Sequence, residues 1–132
     1  MTNPSFELRI RLLNLYYKAK CGHIGSSLSC IDMLYVLFKK KEKSERVILS
    51  KGHAAGALYI VLNEIGEIST EELNTFYGNA TKLAAHPSAN SFDNIPFATG
   101  SLGHGLPIAT GIAKSNKIFN QDNRTFVLMS DG

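Results

Sequence analysis

Cysteine is scarce. The chain has two, Cys21 and Cys30, and they fit neither a Cys-x-x-Cys metal spacing nor a secreted disulfide scaffold. Two free thiols in a reducing compartment are the expectation. Long apolar runs are also lacking. The longest, Ala54 to Leu62, is interrupted by Gly56 and falls far short of the ~20 residues of a membrane-spanning helix. The excess of one charge sign is small, with a formal net charge of +3. The one basic cluster, Lys39-Lys40-Lys41-Glu42-Lys43, has no interleaved aromatics. It reads as a solvated helix end and loop, and nucleic acid is not an expected partner. The opening Met1-Thr2-Asn3-Pro4 leads into a segment charged at Glu7, Arg9 and Arg11, unlike a signal peptide. These absences point to a cytoplasmic protein that neither spans nor anchors in a membrane.

What is present is an ordinary globular chain. Its 132 residues and 44% apolar content suit one domain with a core. Ser5 is placed to cap a helix running to about Lys20, with Leu8, Leu12, Leu15 and Tyr16 on its buried face. A glycine- and serine-rich turn follows over Gly22-His23-Ile24-Gly25-Ser26-Ser27. Ser29, with Asp32 three residues on, reads as the cap of a second helix buried through Ile31, Leu34, Tyr35 and Phe38. Arg46-Val47-Ile48-Leu49-Ser50 reads as a buried strand. Lys51-Gly52-His53 turns it into a helix from Ala54 to Ile65, stopped by Gly66. Ser69 and Glu72 form a capping box for a short helix ending near Tyr77-Gly78.

From Gly78 to Gly103 there is no sustained periodicity, and a loop of that length in a small domain is more often functional than idle. A helix from about Gly105 to Phe119 and a second buried strand, Thr125 to Met129, complete the chain. Ala109, Gly111 and Ala113 give that last helix a small-residue face suited to close packing. Strands alternating with helices imply an α/β fold with a parallel sheet. With two strands only, the sheet is expected to be incomplete at the C-terminal end.

Three features carry chemistry. All four histidines, His23, His53, His86 and His104, fall in turns, three of them directly after a glycine. No His-Glu-x-x-His is present to make a zinc hydrolase. Thr99-Gly100-Ser101-Leu102-Gly103-His104-Gly105 opens a helix with backbone groups free to meet a charged or flat ligand. It is neither a Rossmann fingerprint nor a P-loop. Ser130-Asp131-Gly132 follows a strand, where an aspartate can hold a hard cation against a phosphate.

In this order, Gly22-His23-Ile24-Gly25, Leu49-Ser50-Lys51-Gly52-His53, His86-Pro87, Thr99-Gly100-Ser101-Leu102-Gly103-His104-Gly105 and Ser130-Asp131-Gly132 resemble the N-terminal part of transketolase. The resemblance implies a parallel-sheet thiamine-diphosphate-binding fold. Residues 1–132 would then be the N-terminal portion of the diphosphate-binding domain. It implies thiamine diphosphate and Mg²⁺ (or Ca²⁺), with Asp131 as metal ligand and His53, Gly100, Leu102, Asp131 and Gly132 against the cofactor. His23, His53 and His86 would be the catalytic histidines, converging on one cleft at the carboxyl ends of the strands. The activity implied is transfer of a two-carbon ketol unit between sugars or sugar phosphates. The partners implied are a pyrimidine-binding subunit or domain and a second copy of the chain.

The sequence departs from the family where Ile24 replaces a proline, Ser88 a glutamate and His104 a glutamine. Tyr77 stands where the family carries an arginine that grips a sugar phosphate, with Lys82 the nearest basic substitute. The alternatives are another thiamine-diphosphate enzyme (a deoxyxylulose-phosphate synthase or a 2-oxo acid dehydrogenase component) and a truncated, non-catalytic partner-binding module. The Ser-Lys-Gly-His and Leu-Gly-His-Gly forms favour transketolase.

Overall fold

The computed structural model describes residues 4–130. Helix α1 spans Pro4–Ala19, α2 Ile24–Leu28 and α3 Ile31–Lys40. Strand β1 spans Arg46–Leu49. A 3-10 turn over Gly52–Ala54 enters α4, Ala55–Glu64. Helix α5 is Thr70–Leu73, α6 is Gly105–Ile118 and β2 is Thr125–Leu128. The strands pair in parallel, Arg46 opposite Thr125 through Leu49 opposite Leu128.

Helix α4 is the centre of the molecule. Every residue from Ala55 to Leu62 is buried, as expected of a helix that is apolar all round. Leu8, Leu12, Leu15 and Tyr16 of α1 pack on it, as do residues of α3. On α3 the buried face is Ile31, Leu34 and Phe38, with Tyr35 only partly covered. Salt bridges from Arg9 to Asp32 and from Arg11 to Glu64 tie α1 to α3 and α4.

Two local expectations are corrected. Residues 24–28 are helical, so the glycine- and serine-rich turn is shorter than its composition suggests. Ser29 does not cap α3: it ends α2, and its hydroxyl donates back to the Ser26 carbonyl at 2.8 Å. Serine makes such backward bonds as readily as caps. Cys30 precedes α3 with no side-chain cap. The Ser69–Glu72 capping box forms as expected. Glu72 N–H donates to Ser69 Oγ (3.1 Å), and Ser69 N–H donates to the Glu72 carboxylate (3.3 Å).

The sheet is unevenly covered. In β1, Val47, Ile48 and Leu49 are buried, whereas in β2 only Leu128 is. The second strand is therefore half-buried rather than buried, because β1 lies along one edge and no described residue pairs with the other. Helix α6 packs on both strands through Gly105 and Ala109. Gly111 lies about 200° around the helix from Ala109; it and Ala113 face outward.

The stretch between α5 and α6 has no helix or strand, yet it is held. Tyr59 Oη donates to the Ala84 carbonyl at 3.0 Å, and Asn94 N–H donates to the Glu67 carboxylate at 2.8 Å. Leu83 and Ile95 are buried. Among the described residues, no helix is long and apolar enough to cross a membrane.

Candidate functional site

Each functional residue is positioned by the end of an element. His23 sits in the left-handed region (φ 71°) between α1 and α2, a conformation uncommon outside glycine that histidine, asparagine and aspartate adopt more readily than other residues. Its carbonyl receives Ser27 N–H (3.2 Å) and the Ser26 hydroxyl (2.7 Å). His53 stands in the 3-10 turn that follows the carboxyl end of β1. His86 comes from the pinned loop.

The three rings gather. His23 lies 5.4 Å from His53 and 6.0 Å from His86, centroid to centroid, both edge to face. Together with Tyr16, Cys21 and Tyr77 they line a cleft of about 150 Å³. His104 is not part of it; it is the exposed residue before α6.

The glycine-rich segment lies across the His53 turn. A Cβ on Gly52 would stand 2.4 Å from the Thr99 carbonyl carbon and oxygen, and one on Gly100 2.9 Å from the His86 ring. A Cβ on Gly105 would stand 2.5 Å from Ser50 Oγ, which accepts the Gly105 N–H at 3.2 Å. Glycine is thus required at Gly52 and Gly105, where Thr99–Gly105 meets the end of β1, and Gly100 abuts the His86 ring. Leu102 projects outward, 57% exposed. Asp131 and Gly132 lie outside the described residues. Among the described residues, no three His, Cys, Asp or Glu converge to hold a metal ion.

The electrostatics favour neutral imidazole at His53. Burial holds its pKa below the ordinary value, and His23, Lys51 and His86 push it the same way. Lys51 is the residue whose setting the sequence did not reveal. It is 7% exposed, and its ammonium donates to Ser29 Oγ at 3.0 Å. Among the described residues no carboxylate forms an ion pair with it, and a buried cation in that state favours an anion nearby. The one available signal was its place between buried Ser50 and Gly52 at a strand end. Tyr16 and Cys21 at the cleft were likewise missed, because on sequence they belong to the buried face and the end of a helix.

A strand-end turn, an overlying glycine-rich helix entry and a buried cation define a cofactor-binding α/β domain. Residues 6–132 match the family described as transketolase, thiamine diphosphate binding domain, and the chain belongs to that family. It is 40% identical over 134 residues to an apulose-4-phosphate transketolase subunit of Phocaeicola vulgatus, covering 94% of this chain and 47% of the relative. It is 34% identical over 138 residues to human transketolase, covering 96% of this chain and 22% of that one. Among solved structures it is similar to transketolase from Leishmania mexicana, with a TM-score of 0.85 at 25% identity over 95% of this chain and 22% of that chain. Transketolase from Pichia stipitis gives 0.84 at 26%, covering 95% and 21%. The chain therefore spans about half the length of the Phocaeicola relative and about a fifth of the longer transketolases.

Proposed function

We propose that this chain is the diphosphate-holding part of a ketol-transferring enzyme, completed by a pyrimidine-binding subunit or domain. The observation that carries the reading is the gathering of His23, His53 and His86 beside the glycine-rich entry to α6. The residues present fit the cofactor: Lys51 is a buried cation with no ion-paired carboxylate among the described residues, and Gly52, Gly100 and Gly105 leave no room for side chains where the two segments meet.

Asp131 would hold a magnesium ion, with Gly132, Gly100, Leu102 and His53 against the cofactor. Thiamine diphosphate, when bound, supplies the carbon nucleophile and the electron sink for cleaving a carbon–carbon bond. The chain's own residues do the rest. His23 and His86 donate hydrogen bonds from ring N–H groups to sugar hydroxyls. His53, held neutral near pH 7, accepts a proton at an imidazole nitrogen and returns it. Tyr77, itself exposed, meets the far end of the sugar, where no arginine among the described residues lines the cleft. The substrate class is a ketose or its phosphate, in keeping with the name of the Phocaeicola relative. The working assembly contains at least two copies of the site and acts in the cytoplasm.

The test is to mix the purified chain with a pyrimidine-binding subunit encoded beside it, adding thiamine diphosphate and Mg²⁺, and to follow ketol transfer. Activity is expected only in the mixture, falling roughly 10²–10⁴-fold on His53→Ala. Sub-micromolar cofactor binding by the chain alone, or an inert mixture, refutes the proposal.

A further inference from the structure

Helix α4 carries a glycine, Gly56, within its buried run from Ala55 to Leu62. Glycine inside a helix is unfavourable relative to alanine. Here it makes room for a ring. A Cβ on Gly56 would stand 2.6 Å from Tyr16 Cε2, 2.9 Å from Cζ and 2.8 Å from Oη.

Tyr16 is 4% exposed, and its hydroxyl shares a hydrogen bond of 2.7 Å with Ser27 Oγ. Burial pushes the phenol pKa up, so the hydroxyl keeps its proton. Ser27 is fully buried, and among the described residues its hydroxyl has no other partner. The phenol is therefore wedged between α2 and α4. It meets α2 four residues past His23 and α4 three residues past His53, about one turn in each case. The ring of Phe76 packs on it edge to face, with centroids 5.6 Å apart.

We propose that Tyr16 is a positioning residue that sets the separation of His23 and His53, whose rings stand 5.4 Å apart. The link to His23 runs through the backbone. Ser27 N–H and the Ser26 hydroxyl hold the His23 carbonyl at 3.2 and 2.7 Å, in the left-handed turn before α2. A helix of five residues gains little from its own hydrogen bonds, so its seat is fixed from outside. The Tyr16–Ser27 bond is a buried tie between it and α1. The link to His53 is shorter, because the 3-10 turn that bears it runs straight into α4. The geometry does not depend on ketol transfer. What the separation serves, a neutral His53 beside a sugar-binding His23, rests on that reading.

NMR titration and urea unfolding of Tyr16→Phe and of the double variant Tyr16→Phe/Ser27→Ala test this. His53 is the reporter. Burial lowers its pKa, and His23, Lys51 and His86 oppose its protonation; Cys21 and Tyr77 are the other titratable side chains around the cleft. Tyr16→Phe leaves the Ser27 hydroxyl buried without a partner, so the unfolding midpoint is expected to drop. It also frees α2, so His23 moves off and His53 titrates closer to its ordinary 6.5. The double variant removes both partners and is expected to regain most of the midpoint. Its α2 is still untied, so the raised His53 pKa persists. A His53 pKa unchanged in Tyr16→Phe, or one that returns with the midpoint in the double variant, overturns the proposal, because the bond then serves stability alone. In the enzyme reconstituted with its pyrimidine-binding subunit, the acid limb of the pH–rate profile is expected to move to higher pH with His53. An active Tyr16→Phe enzyme with an unmoved acid limb also overturns the proposal. An inert wild-type mixture, with the His53 shift present in the variants, refutes ketol transfer and leaves the positioning role standing.

Discussion

Gly52→Ala is the sharpest test of how the site is built. The new methyl would stand 2.4 Å from the carbonyl carbon and oxygen of Thr99 and 2.6 Å from the Gly100 nitrogen. Carbon contacts are comfortable at about 3.5–4.0 Å, so the two segments must part by roughly 1 Å. The obstructing atoms are backbone and cannot rotate aside, so the glycine-rich segment must move as a body. Overpacking typically costs about 1–3 kcal/mol, and a backbone obstruction puts this case near the top, about 3 kcal/mol. That is a large share of the roughly 5–15 kcal/mol of a whole domain.

Gly25→Ala is the control. Nothing lies within 4 Å of its Cβ position, and it sits inside α2, where alanine is favoured by roughly 0.5–1 kcal/mol. Urea unfolding reads both. With a slope of about 2 kcal/mol per molar, the midpoint should drop by about 1.5 M for Gly52→Ala and hold or rise for Gly25→Ala. In the folded variant the His86 ring resonances should also shift, because Gly100 abuts that ring. A Gly52→Ala protein within about 0.5 kcal/mol of wild type, with His86 unmoved, would refute the claim that these segments are locked together.

Two further outcomes follow from the ionisable groups. In an NMR titration, His53 should titrate below its ordinary 6.5, chiefly because it is partly buried, and His23→Ala should raise it by removing a neighbouring imidazole that opposes its protonation. Because the folded state lowers this pKa, its contribution to stability is complete above the unfolded value. It is lost as pH falls from there through the folded value, so unfolding midpoints should drop on the acid side. With a thiol reagent, half-buried Cys21 should react first. Cys30, 1% exposed and pushed up to about 11 by burial, should react only as the chain unfolds, since the thiolate is the reactive form. Fast labelling of both would contradict the packing around Cys30.

Legibility tracked how local the cause was. The Ser69–Glu72 box and the Val47–Leu49 run were readable because their partners lie within a few residues or on the same short strand. Helix α2 was not. Two glycines and three serines over 22–29 argue for a turn, and the segment is helical because Ile24 and Leu28 pack against the core while Tyr16 bonds Ser27 at 2.7 Å. The histidines were readable as turn residues, and the family resemblance implied that three of them converge, but no local pattern shows their proximity. It depends on the left-handed backbone at His23 and on the bonds that pin the loop, Tyr59 to Ala84 and Glu67 to Asn94. The burial of Lys51 was invisible for the same reason, since the elements that bury it are far off in sequence.

The uneven burial of the chain places the site on the boundary between a finished half and an unfinished one. Around α4 the core closes on itself, with Leu12, Leu34, Tyr59 and Leu62 fully buried. Along α6 and β2 it does not: Leu102, Leu106, Ile118, Phe119 and Met129 are all exposed. The finished half supplies rigidity, and His53 and Lys51 belong to it, fixed by β1 and α4. Thr99–Gly105 bridges the two halves, clamped at Gly52 and Ser50 and open on the side of Leu102. A ligand seated against that segment would touch rigid, buried groups on one face and an apolar surface awaiting cover on the other. That is the physical condition for a site shared between two folding units: each keeps its own core, and the groups that meet the ligand lie where neither core is closed. In a chain that spans about half the length of its Phocaeicola relative, the exposed side of α6 and β2 is where the remainder of such a site would join.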